Sequence, residues 1–132
     1  MSQHFHAVVW IDHHQARVFH FNADDAERAV VHPQHAARHI EHKGNSIGSG
    51  HPAEDQTFFH AVVEAVGSAG AVLIGGPASA KHELFKYIQR HAQQLLPRIA
   101  AVETLDHPSD RELLAHARKY FRAADRMAPQ RS

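Results

Sequence analysis

Four residues, Ala71-Val72-Leu73-Ile74, constrain the fold of this chain more than any other stretch. A short, wholly apolar run fits a strand in the middle of a sheet covered on both faces, because alternate side chains leave a strand on opposite sides. A helical pattern lies on each side of it. Upstream, "AEDQTFFHAVVEAVGSAG" sets Phe58, Phe59, Val62, Val63 and Val66 on one side at helical spacing, with Glu54 and Asp55 in the favourable first turn. Gly67 and Gly70 are expected to end this helix. Downstream, Gly75-Gly76-Pro77 reads as a turn into a second helix. Its expected buried stripe is Leu84, Tyr87, Ile88, His91 and Leu95, and Pro97 stops it.

Three further strands precede these elements. "FHAVVWI" at 5–11 is rich in β-branched and aromatic residues, "DHHQ" is a turn, and "ARVFHF" at 16–21 is a second strand joined to the first as a hairpin. Polar "NADD" makes another turn, and "AERAVVHP" is a third strand that ends before Pro33. After the second helix, "RIAAVETLD" supplies a fifth strand. Ser109-Asp110-Arg111-Glu112 is a capping-box pattern opening a third helix to about Asp125, with Leu113, Leu114, Ala117 and Phe121 inward. The tail 126–132 is expected to fray. Residues 33–52 contain few large apolar side chains and three closely spaced glycines, which predicts a long mobile loop with a helical turn near 36–40. The order of elements is βββ-α-β-α-β-α. It predicts an α/β fold, with a five-stranded mixed sheet between helices in three layers and a single domain over 1–132.

Charge narrows the partners. Fourteen basic and fourteen acidic residues give no strongly basic footprint, although a local basic patch remains compatible with that balance. Fifteen histidines make the net charge climb as the pH drops through mild acidity. With no cysteine, disulfides and thiol catalysis are excluded. The first residues lack a basic segment followed by an apolar core, and no stretch approaches the roughly 18 apolar residues of a membrane span. A cytoplasmic location is the expectation.

The βββ-α-β-α-β-α order is also that of the ribonuclease H-like fold, and the chain resembles the central domain of archaeal and eukaryotic peptide-chain release factors and of Pelota. The hairpin "AVVWIDHHQARVFHF", the segment "EHKG" and the strand, glycine turn and lysine of "VLIGGPASAKHEL" carry the likeness. The resemblance implies a component of the translation machinery, with tRNA or the ribosome as partner. Release factors of that family carry Gly-Gly-Gln at the tip of the long loop, where it promotes hydrolysis of peptidyl-tRNA. Here the corresponding stretch is Lys43-Gly44-Asn45-Ser46-Ile47-Gly48-Ser49-Gly50, without that tripeptide. The resemblance therefore points to a noncatalytic, isolated central domain that contacts tRNA or ribosomal RNA. Two other classes stay open: a metal-dependent nuclease or residual peptidyl-tRNA hydrolase, and a protein-interaction or structural domain.

Two stretches are the candidate RNA-binding residues. Gly75, Gly76 and Lys81 form a strand-to-helix connection of the kind that can aim N–H groups and a cation at a phosphate; the spacing is not that of a P-loop. Arg38, His39, His42, Lys43 and Gly44 bring protonatable or positive groups beside flexible glycines. No cofactor or metal is expected. His35, His39 and His42 would share a helical face and His13 and His14 sit in one turn, yet no carboxylate-bearing metal signature accompanies them. For nuclease chemistry, Asp12 and Glu64 are suggestively located, with Asp110 or Glu112 needed to complete a two-metal set.

Overall fold

The protein is described by a computed structural model covering residues 5–33 and 52–127, with side chains in the second stretch from 56 to 124. Five strands form one mixed sheet: β1 (His6–Ile11), β2 (Ala16–Phe21), β3 (Ala26–Val31), β4 (Ala71–Gly76) and β5 (Ile99–Thr104). Their spatial order is β3-β2-β1-β4-β5. β1, β2 and β3 make an antiparallel meander, whereas β4 runs parallel to both β1 and β5. The helices are α1 (Pro52–Val66), α2 (Ala80–His91) and α3 (Asp110–Met127). The α/β class and the mixed five-stranded sheet are as the sequence predicts.

Both hairpin turns are built by the same chemistry. In the first, the Asp12 carboxylate accepts hydrogen bonds from the N–H groups of His14 (2.7 Å) and Gln15 (2.9 Å). In the second, the Asn22 side-chain carbonyl accepts from Asp24 and Asp25, both at 2.9 Å. A short acceptor at the first turn position thus satisfies backbone donors that the ladder cannot reach. Arg118 of α3 also reaches the second turn, donating to the carbonyls of Asn22 (2.9 Å) and Asp25 (3.1 Å).

Strand alternation divides the core in two. Ala7, Val9 and Ile11 of β1, Val18 of β2 and Val72 and Ile74 of β4 pack with α1 and α2 residues such as Phe58, Val62, Leu84 and Ile88. From the opposite face, Val8, Trp10, Phe19, Phe21 and Leu73 meet Leu113, Ala117 and Phe121 of α3. Three layers result because a period of two exposes both faces of the central strands and each face needs its own helical cover.

The helix ends follow local signals in two cases and depart from them in one. Gly67 adopts a positive φ of 61° just past α1, and its N–H bonds to the Val63 carbonyl at 3.1 Å. At the start of α3 the capping box forms in full: Ser109 N–H donates to Glu112 (2.9 Å), and Glu112 N–H donates to the Ser109 hydroxyl (3.1 Å). α2 ends earlier than its apolar period predicts. Ala92 leaves helical geometry (φ −145°, ψ 51°), and Leu95 reaches the core from a 3₁₀ helix spanning Gln93–Arg98 that contains Pro97. His91 is accordingly exposed rather than part of the buried stripe. α3 continues to Met127, beyond the expected end near Asp125, and the rest of the tail lies outside the described residues.

Candidate functional site

The carboxyl ends of the parallel strands β1, β4 and β5 lie together, followed by the Asp12–Gln15 turn, the Pro77–Ser79 connection and the Leu105–Ser109 segment. Ligands of open α/β sheets commonly bind beyond such ends. Gly75 and Gly76 are not free turn residues here, a correction to the expected glycine turn. Both belong to β4, with Gly75 opposite Glu103 and Gly76 opposite Thr104 of β5. A Cβ on Gly76 would stand 2.1 Å from the Ile11 carbonyl oxygen, and one on Gly75 would stand 2.4 Å from the Leu105 side chain. Close packing of β1 against β4 therefore requires glycine at 76, whereas at 75 the Leu105 side chain of the β5–α3 connection would have to turn aside.

Lys81, read from the sequence as a cation that could meet a phosphate, is buried at the head of α2. It is 3% exposed, and its ammonium donates to the Ala78 carbonyl. A long apolar stem can lie in the core while its charged end meets a backbone acceptor, which is what this connection provides. The ammonium braces the turn from inside. Ser79 precedes α2 without a side-chain cap, its hydroxyl lying 3.3 Å from Glu83 instead. Glu83 in turn sits 3.6 Å from His13, joining the first hairpin turn to α2.

The second candidate stretch, Arg38, His39, His42, Lys43 and Gly44, lies outside the described residues, as do His35 and the expected turn at 36–40. Of the carboxylates considered for nuclease chemistry, Asp12, Asp110 and Glu112 have structural partners, Asp110 pairing with Arg17 and Arg28. Asp12 builds its turn, Glu64 is an exposed α1 residue 3.7 Å from His60, and Glu112 completes the α3 cap. Asp12 and Glu64 also occupy opposite ends of β1. The carbonyl of Val66, two residues after Glu64, is 2.8 Å from His20, which pairs with Ala7, whereas Asp12 follows Ile11. Among the described residues, no group of three His, Asp or Glu side chains is arranged to hold a metal ion.

No family model matches the chain, and no curated protein matches it in sequence. Solved structures do match it in fold. The chain is similar to Archaeoglobus fulgidus Pelota (TM-score 0.58, 12% identity, over 91% of this chain and 35% of that one). It is also similar to S. cerevisiae Dom34, described as a translation termination-like factor involved in RNA quality control pathways and interacting with Hbs1 (TM-score 0.53, 10% identity, over 93% of this chain and 37% of that one). The chain thus spans about a third of the length of either protein. At this identity the likeness to Pelota and Dom34 is one of fold, so the chemistry must be sought in this chain's own side chains.

Three arrangements escaped the sequence reading. Arg17 is 9% exposed on the α3 side of the sheet, with its guanidinium 4.6 Å from the centre of the Trp10 ring. It donates to Asp110 (2.7 Å) and to the Pro108 carbonyl (2.9 Å), while Arg28 reaches the other Asp110 oxygen at 3.1 Å. The Trp10 indole N–H donates to the Asp106 carbonyl at 2.9 Å. Together these contacts fasten the β5–α3 connection to the sheet. The alternation Arg17, Phe19, Phe21 would have revealed an inward arginine. Glu103 and His116 form the second arrangement, a 2.7 Å pair whose histidine lines a hollow of about 480 Å³ beside Leu105–Pro108. The third is a groove between α1 and α2, lined in part by Phe59, Tyr87, Lys86 and Arg90. Helical spacing on α2 carries its only sequence signal.

Proposed function

We propose that this chain is a noncatalytic, translation-associated module of the cytoplasm that contacts tRNA or ribosomal RNA. The observation that carries this reading is the fold likeness to Pelota and Dom34 over more than nine-tenths of the chain, since Dom34 is described as a translation termination-like factor. Two features of the chain support it. The long segment between β3 and α1 holds Arg38, His39, His42, Lys43 and Gly44, a set suited to contacting a phosphate backbone, and it lacks Gly-Gly-Gln. Asp12 builds the first hairpin turn and Glu112 caps α3, so both carboxylates have a folding role. In this proposal Gly75 and Gly76 give room to the β5–α3 connection and to β1, Lys81 braces the start of α2, and phosphate contact falls mainly to residues 38–44.

The test is twofold. The purified protein should cosediment with ribosomes at low salt and be released as salt rises, the behaviour of phosphate contacts. It should neither release peptide from peptidyl-tRNA nor degrade RNA with magnesium or manganese. Turnover that disappears with Asn45→Ala or Asp12→Asn would replace the noncatalytic reading with an enzymatic one.

A further inference from the structure

We propose that the groove between α1 and α2 binds one unstacked base of single-stranded RNA together with its flanking phosphates, an inference that rests on the RNA-contacting reading above. The groove has a volume of about 220 Å³. That is less than the roughly 300–1,000 Å³ that encloses a whole drug-sized ligand, so it suits one planar ring with sugar and phosphate outside. Its lining offers rings. Phe59 and Tyr87 have centroids 5.9 Å apart, and Tyr87 and His91 4.8 Å apart, forming a short aromatic series along the groove. Phe59 is buried, whereas Tyr87 is half-buried and His91 exposed, leaving ring surface available for stacking.

Charge chooses the occupant. Lys86 and Arg90 are exposed, lie one turn apart on α2 and line the same groove, and neither is ion-paired with another described residue. The acidic residue of the lining, Glu83, is drawn toward the start of α2 by His13 and the Ser79 hydroxyl. Aromatic faces beside free cations are the combination by which proteins hold single strands without reading their sequence. An acidic peptide would match the cations, but it would bring backbone donors and acceptors that an aromatic lining does not satisfy.

The experiment measures anisotropy of a labelled ten-nucleotide oligoadenylate, and of its sugar-phosphate counterpart without bases, against the native protein and three variants. Tyr87→Leu should weaken oligoadenylate binding about tenfold, the loss of one base–aromatic stack, and leave binding of the base-free strand unchanged. Tyr87→Phe should bind as the native protein does. Lys86→Ala/Arg90→Ala should weaken both strands and reduce the magnitude of the salt slope by roughly 1.4, at about 0.7 per single-strand phosphate contact. Should Tyr87→Leu fail to fold, the surface pair and the comparison of the two strands still decide. Oligoadenylate that binds all variants equally, and no better than the base-free strand, overturns the groove while leaving the RNA reading intact. Absence of binding by any RNA overturns both. Binding of an acidic, tyrosine-containing peptide that is lost in Tyr87→Leu, with no binding of oligoadenylate, assigns the groove to a protein partner instead.

Discussion

A single methyl group separates the two glycines of the β4 end in their demands on the fold. At Gly76 an added Cβ would strike the backbone carbonyl of Ile11, which is held within the central strand pair, so relief requires β1 and β4 to move apart. At Gly75 the obstacle is the half-buried Leu105 side chain, which can rotate. Overpacking costs about 1–3 kcal/mol when neighbours cannot yield. Gly76→Ala should therefore reach or exceed the top of that range, and Gly75→Ala should fall near its bottom. Midpoints of urea unfolding at constant slope measure the difference. Equal losses would mean that the strand ends are less tightly held than these distances imply. The same scale explains Lys81: the turn closes over its stem and supplies the Ala78 carbonyl as acceptor.

The elements were legible wherever local chemistry and hydrophobic period agreed. Ser109 and Glu112 bond reciprocally as their spacing predicts, and Ser109→Ala should cost α3 about 0.5–2 kcal/mol. Thermal unfolding monitored by circular dichroism reads this loss, and a variant with an unchanged midpoint would make the cap ornamental. Asp12 and Asn22 likewise announced their hairpins, and Ala71–Ile74 announced a strand covered on both sides. Other features depended on tertiary contacts. Glycines add nothing to a hydrophobic pattern, so the extension of β4 through Gly75 and Gly76 was hidden until β5 appeared opposite them. The stripe on α2 kept its period as far as Leu95, although the backbone leaves the helix at Ala92. Arg17 was passed over because arginine is rarely buried, and only Asp110, Pro108 and Trp10, all distant in sequence from it or from the turn they fasten, make that burial possible. Of the candidate site, the β4–α2 connection was legible as a strand leading into a helix but not in its buried lysine, while Arg38–Gly44 lies outside the described residues.

For the whole molecule, fold and charge together define what an RNA contact should look like. Equal numbers of basic and acidic residues supply no strongly basic footprint, so the proposed RNA contact would rest on a few local cations such as Arg38 and Lys43. Such a contact has modest affinity and a shallow but measurable salt slope. The fold likeness to Pelota and Dom34 supplies the reason to look for it, and the absence of Gly-Gly-Gln the reason to expect binding without hydrolysis. The most direct measurement is equilibrium binding of the purified chain to bulk tRNA between about 50 and 200 mM salt, with Lys43→Ala and Arg38→Ala beside the native protein. Affinity should fall linearly with salt on logarithmic axes, and each variant should reduce the magnitude of the slope by roughly one or less without altering unfolding. No binding at the lowest salt, or an affinity that neither salt nor these substitutions change, would contradict a role in contacting RNA.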